Sequence, residues 1–478
     1  MTVVYYFRFR WGLGLRALVC SVVLLQGCIV GSTVPCQSSS ECVAQFGPTA
    51  YCEPSKGLCA EIQDGGSADL SSPDGGDSGP SCTPSQCPDD MPICSGNVCA
   101  ACSGPNDDAA CAVHKSSTPR CGLTGTCVEC RPSSQQTDCV LPSAPICDSD
   151  GHCRPCISTA ECPNSVCILT GANTGQCASA NQIVWVDNNN PNCSSGDGRS
   201  PTTSFCNIDQ AIGLIASRPY IHVAGSNTAY AASTAFQASS TNIGPVQVSG
   251  PGIAASPSAR VFSLANDSFD VSAAAGHQAT VVLEGLELGG TGATKGNFGI
   301  NTSTTGSGTV SLSVIGCFIH DNNSGGITLA GATTYSIEND IIANNGSATG
   351  SSAGVVIANS ATGTFAFNTV AANSVASGPS GVDCSSTSKP IVNTIVTTNL
   401  SAGGGPQISA NCSQTNIVQS GVDFVSTTDW HLKADSTNSS CCIDQIKTDP
   451  GTPFKSVDVN GTIRPKGNGW DIGAHEVQ

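Results

Sequence analysis

Short β-branched runs bounded by glycine and asparagine recur at a nearly even interval through the C-terminal two-thirds of the chain. That interval restricts the fold more than any other feature of the sequence. GLEL from Gly285, GCFI from Gly316, NDII from Asn339, NTVA from Asn368 and NTIV from Asn393 align, with first residues 31, 23, 29 and 25 positions apart. A shorter echo, TNIV, follows from Thr415, and Asp321, Asn344 and Asn373 each stand five residues after an aligned start. Every unit then holds a second run, as in GITL from Gly326, GVVI from Gly354 and GVD from Gly381. Such runs read as strands separated by turns. Leucine is too sparse at fixed offsets for a leucine-rich repeat, and apolar spacing of helical period is missing for a helical solenoid. One strand set per repeat suits a parallel β-helix, in which each strand pairs with its equivalent one coil away, about 4.8 Å distant. Asparagine belongs at the corners because it enters the left-handed backbone region at little cost, and stacked amides can bond one another. The pair Ile341 and Ile342, boxed in by asparagines, is then a core strand, and Cys317 on the same course is a small apolar core residue.

The open edges of such a coil recruit other chains unless covered. Ile208, Ala211, Ile212 and Ile215 follow Asn207 at helical spacing, so 208–216 is expected to be a short helix closing the N-terminal end, with Cys193 and Cys206 stapling the loop before it.

Twenty of the 29 cysteines lie between Cys36 and Cys177 and form five four-cysteine units. Many units close on Cys-x(n)-Gly-x-Cys, as in CGLTGTC at 121–127 and CDSDGHC at 147–153. A unit of this size buries too little apolar surface to fold without cross-links. Disulfides are therefore expected, with connectivity left open. Zinc is the competitor, but each CxxC straddles a unit boundary and no histidine pair stands at ligand spacing. The segment 61–81, rich in Gly, Ser and Asp, reads as a flexible linker.

The chain opens with Arg8, Arg10 and Arg16 ahead of the apolar run 17–25, the layout of an export signal. Leu25-Gln26-Gly27-Cys28 resembles the bacterial lipobox. The resemblance implies cleavage after residue 27, lipidation of Cys28 and anchorage in a membrane. Ile29, in place of an aspartate that would resemble an inner-membrane retention mark, points to the outer membrane. Loss of the three signal arginines takes the formal charge from -17 to -20. An acidic chain of which 11% of residues are charged argues against nucleic acid as a partner and lowers the expectation of polyanionic ligands.

The cysteine array is similar to short repeats of bacterial surface lipoproteins, which implies a stiff stalk or a protein-binding module. VWVDNNNPNCSSGDGRSPTTSFCNIDQAI at 184–212, DWHLKADST at 429–437 and DVNGTIRPKGNGWDIGAHE at 458–476 resemble the opening and closing segments of bacterial right-handed parallel β-helix proteins of the pectate-lyase-like superfamily. The closing match falls on Asp458, Gly461, Arg464, Pro465, Asp471, Gly473 and Glu476; the chain departs from it at His475 and at Cys441-Cys442. Expected organisation is a signal peptide at 1–27, a tether and first cysteine unit at 28–60, the linker at 61–81, the array at 82–177 and an all-β, right-handed parallel β-helix with caps at 183–478.

This fold hosts enzymes and adhesins alike, so function has to be read from sites. A polysaccharide lyase on it needs carboxylates to bind calcium and a base. His320, Asp321, Glu338 and Asp340 are the candidate catalytic cluster, since stacking sets their coils side by side. No Lys or Arg lies between Lys295 and Lys389, so His320 has to be the base. Asp321 with Asp340 is the candidate carboxylate pair for glycoside hydrolysis. Trp185, Trp430 and Trp470 lie toward the ends of the coil, which counts against a long sugar-binding groove. Arg464 with Asp471 or Glu476 reads as a structural ion pair. The favoured expectation is a lipid-anchored, non-catalytic β-helix that binds carbohydrate or a cell-surface protein and needs no cofactor. The alternative is a lyase or hydrolase, with calcium under the lyase reading.

Overall fold

The computed structural model describes residues 50–53, 58–61 and 82–477, apart from 96, 232–233, 264–265, 291–295, 353, 386–388 and 452–456. The export signal, Cys28 and the linker lie outside the described residues. The chain divides into two compact units, 1–128 and 129–478.

In the first unit the hairpin Ala50–Glu53 with Leu58–Glu61 precedes two cysteine repeats. The four repeats from Cys82 to Cys177 share one connectivity, first cysteine to third and second to fourth. The pairs are Cys82–Cys94 with Cys87–Cys99, Cys102–Cys121 with Cys111–Cys127, Cys130–Cys147 with Cys139–Cys153, and Cys156–Cys167 with Cys162–Cys177. Short hairpins such as Ile93–Ser95 with Val98–Ala100, and Ile146–Cys147 with Cys153–Arg154, set one cysteine of each bond opposite one of the other.

The second unit is built on a parallel β-helix with three faces. The first face runs Ile183–Val186, Tyr220–Val223, Ile243–Ser249, Gln278–Glu284, Thr309–Ile315, Thr333–Glu338, Thr362–Ala366, the start of Lys389–Thr397, and Cys412–Val418. The second contains Arg260–Phe262, Glu287–Gly289, Phe318–His320, Ile341–Ala343 and Thr369–Ala371, and the third Thr234–Ala238, Phe269–Ala273, Gly296–Thr304, Asn322–Leu329, Val355–Ile357 and Val382–Cys384. Neighbouring strands pair in parallel throughout. One inward column passes through Val248, Leu283, Val314, Ile337, Phe365 and Ile391, all fully buried, and ends at Gln414.

The asparagines do two separate jobs. At the first corner Gly285, Gly316, Asn339, Phe367, Asn393 and Asn416 all have φ between 50° and 61°, and at the second Asp321, Asn344, Ala372 and Thr398 lie between 52° and 58°. These are left-handed positions, where asparagine costs little and phenylalanine does not. Just past the second corner a different set is stacked and largely buried. Asn322 Nδ2 donates to Asn345 Oδ1 (3.0 Å), Asn345 Nδ2 to Asn373 Oδ1 (3.0 Å) and Asn373 Nδ2 to Asn399 Oδ1 (2.9 Å). The same amides reach back to Leu288 O, Ile319 O, Ile342 O and Val370 O. Opposite this ladder the glycines that open the third face allow close approach: a Cβ on Gly326 would lie 2.6 Å from Gly354 O.

Pairing corrects the sequence alignment by one residue. Ile341 pairs with Thr369, so Asn339 stacks on Phe367 and Asp340 on Asn368. Val392 likewise pairs with Thr415, which puts Asn416 rather than Thr415 beneath Asn393. Phe367 holds the left-handed corner although its type disfavours it, with the Arg464 guanidinium 5.0 Å over its ring.

Helix Ile208–Ile212 closes the N-terminal end with Ile208 and Ala211 inward, and a capping box links Asn207 and Gln210. It is shorter than expected: the bonds from Leu214 N–H to Ala211 O and from Ile215 N–H to Ile212 O run three residues back, so the chain tightens into turns after Gly213. Cys193 and Cys206 are bonded as expected, Cys384 joins Cys412, and Cys441 joins Cys442. Cys317 is a buried free thiol.

Two further segments cover the coil. The repeat 156–177 lies on the outer side of the first face, with Leu169, Cys156, Cys162 and Cys167 against Val282 and Ile315. The closing segment lies on the outer side of the second face, with Trp430, Val459 and Ala474 against Ile341 and Ala343. Both members of the pair at 341–342 are therefore buried, but on opposite sides. Strand geometry sends Ile342 into the coil and Ile341 outward, where the closing segment shields it.

Candidate functional site

His320 ends the second-face strand Phe318–His320 and, two residues on from Phe318, shares its outward side, with the two rings stacked 4.0 Å apart. Its side chain is 8% exposed. Nδ1 lies 2.9 Å from Asp321 Oδ2, and Nε2 lies 3.1 Å from Glu287 Oε1 on the preceding coil. The other Glu287 oxygen accepts the Ser258 hydroxyl. Burial works against the imidazolium, but the bonds to Asp321 and Glu287 outweigh it and hold the His320 pKa above its ordinary value. Burial likewise works against the Glu287 carboxylate, yet His320 and Ser258 keep its pKa below the usual range. Both shifts favour the same state, a cation between two anions. An imidazolium with both N–H groups donated is a clamp between coils, and it has no lone pair with which to take a proton.

Of the four residues singled out from sequence, only His320 and Asp321 form one group. Glu338 ends a first-face strand on the far side of the Asn339 corner, is 1% exposed and accepts the Ser336 hydroxyl. Asp340 is fully buried: Oδ1 accepts the Cys317 N–H (2.7 Å), and its own N–H donates to Asn368 Oδ1 (2.9 Å). It occupies the rung position that Asn368 fills one coil on, where Nδ2 donates to Ile337 O (2.9 Å). Burial drives the Asp340 pKa well above the ordinary carboxylate value, and Oδ2 has no partner. Asp340 holds the asparagine position in this column through Oδ1, out of reach of any substrate. The coils do stack as expected, but a corner separates Glu338 from His320, and Asp340 is turned inside the coil.

Sequence reasoning missed Glu287, whose pairing with Phe318 places it one coil from His320. Its only signal was its place as the acid inside GLEL. Beside it a polar cleft of about 290 Å³ is lined by Ser226, Asn227, Ser256, Ser258, Arg260 and Glu287 among others. A larger groove of about 560 Å³ is lined by Ile146, Arg154 and Glu161 of the cysteine repeats and by Asn460, Ile463 and Lys466 of the closing segment. Arg154 there is held by Glu161 at 2.6 Å. The three-cysteine groups that resemble metal sites, such as Cys130, Cys139 and Cys147, are made of half-disulfides, so their sulfurs are not thiolate ligands.

The residues of the closing motif are structural. Asp458 accepts the N–H groups of Asn460, Thr462 and Glu476. Asp471 accepts those of Asp444 and Val477, and Glu476 those of Lys466 and Asp471. Arg464 donates to Asp471 O and Gly473 O, with its Nε 3.8 Å from Glu476. Three buried carboxylates cap amides and one guanidinium caps carbonyls, while Arg464 Nε is left without a hydrogen bond of its own. Another buried group binds the last cysteine repeat to the coil. Glu284 accepts Thr159 N (2.7 Å), Thr159 Oγ1 (2.7 Å), Ser249 Oγ (2.8 Å) and Gln247 Nε2 (3.2 Å).

No family model matches the sequence, and no curated protein matches it. Among solved structures, the crystal structure of pectate lyase Pel9A is similar at 14% identity over 62% of this chain and 96% of that one, with a TM-score of 0.29. A likeness at that level transfers no residue role, and the β-helix rests on the strand pairing described above.

Proposed function

We propose that this chain is a lipid-anchored cell-envelope protein that displays a non-catalytic β-helix for binding or adhesion to carbohydrate or to a cell-surface protein. The observation that carries this reading is the occupation of His320. Among the described residues it is the coil-wall histidine that groups with acids in the manner of a base, yet it holds a carboxylate on each nitrogen and is favoured as the cation. The disulfide-dense repeats support an oxidising compartment. Lipidation of Cys28 rests on the lipobox resemblance, and a Cys28→Ala chain should leave the membrane fraction; retention there would refute the anchor.

A second reading, a lyase or glycoside hydrolase on the same coil, is favoured by one feature, the cleft beside Glu287 and Arg260. Incubation with a panel of polysaccharides, with and without calcium, separates the two. Binding without new reducing ends or unsaturated products supports the first reading, and either product overturns it.

A further inference from the structure

The two ends of the β-helix are treated differently. The N-terminal end carries the helix Ile208–Ile212, whose apolar side seals the core. The closing segment, expected as the opposite cap, lies along the outer side of the second face instead. The last rung, Cys412–Val418, therefore pairs on one side only, with Lys389–Thr397, among the described residues. Ser413, Gln414, Thr415 and Asn416 are exposed, and Gln414 stands in open solvent at the foot of the column that ends in Ile391.

A strand edge of this kind leaves half its N–H and C=O groups directed outward, and proteins that stay monomeric blunt it with charge, proline or a cover. Here neither charge nor proline stands on the strand. The whole stretch from 390 to 422 contains no charged side chain and no histidine, in a chain of net charge -17. Amide side chains stand on this end instead, at Gln407, Asn411, Gln414, Asn416 and Gln419.

We infer that this end is an interface for a second copy of the chain, with the two terminal rungs pairing antiparallel about a twofold axis. The occupant follows from electrostatics and symmetry. Two strongly acidic molecules can approach closely where both are uncharged, and a twofold makes any strand edge its own complement. Head-to-tail stacking is blocked by the helix on the other end. The rung bends at Asn416 (φ 51°), so the stretch 413–415 before it forms the pairing, with Gln414 on the axis opposite its own copy and Ser413 opposite Thr415 of the second copy.

Sedimentation velocity tests this on the full chain carrying Cys28→Ala, which keeps acyl-driven association out of the measurement. The expected result is a concentration-dependent rise to twice the monomer mass, with slowed amide hydrogen exchange at 412–418. S413E/T415E sets carboxylates against each other across the twofold and should weaken association at least tenfold. S413K/T415E sets an ammonium against a carboxylate across the same axis and should restore it. Both positions are exposed, so the fold is unaffected, and circular dichroism verifies that. A chain that stays monomeric at its highest soluble concentration overturns the inference, as does a dimer that neither double substitution alters.

Discussion

Asn345→Ala strikes the middle of the buried amide ladder, where the consequences are well defined. Asn345 Oδ1 accepts from Asn322 N (3.1 Å) and Asn322 Nδ2 (3.0 Å), while Nδ2 donates to Ile319 O (2.9 Å) and Asn373 Oδ1 (3.0 Å). After truncation Asn322 Nδ2 still has Leu288 O, and Asn373 Oδ1 still accepts the Asn345 N–H. The Asn322 N–H and the second-face carbonyl of Ile319 lose these partners, in a place without access to water. Each such loss costs roughly 1–3 kcal/mol. The sum is about 4 kcal/mol, a large share of the stability typical of a domain. Asn399→Ala, on the part-exposed last rung of the same ladder, should cost only about 1 kcal/mol because water can replace the amide. Urea unfolding with disulfides intact measures both, as shifts of midpoint at constant slope. Equal costs at the two sites, or a cost below about 1 kcal/mol at Asn345, would show that stacked amides do not hold the coils together.

Asp340→Asn should stabilise the protein at neutral pH, by on the order of 1–3 kcal/mol, because it supplies the donor that a carboxylate lacks. Since burial raises the folded-state pKa of Asp340, its unfavourable contribution grows as pH rises above the unfolded value; the gain from Asn should shrink toward acid pH, and a gain independent of pH would contradict a raised pKa at this site. His320→Gln should destabilise most at acid to neutral pH, where the raised pKa keeps the clamp charged, and the difference from wild type should fade as pH rises through that pKa; thermal melts across pH measure it. Glu284→Ala strips four donors of their acceptor, so it should free the repeat 156–177 from the wall, seen as faster proteolysis within 154–183 while the coil persists.

Sequence alone determined that the C-terminal region coils. Glycine and asparagine at left-handed corners, with β-branched runs between them at a steady period, are local signals, and each corner residue reports its own backbone. The same holds for the cysteine units, where size and spacing demand cross-links, and for the Cys193–Cys206 staple. Which neighbour a strand meets is not local. The register between coils is set by hydrogen bonds that span a full turn of the coil in sequence, so only the folded chain put Phe367 at the corner and Asn368 and Asp340 inside. The shielding of Ile341 by the closing segment and the meeting of His320 with Glu287 were decided in the same way. A strand motif specifies two sides but does not say what will cover the outer one. Each of these outcomes depends on segments distant in sequence packing together, and no window of residues contains both partners.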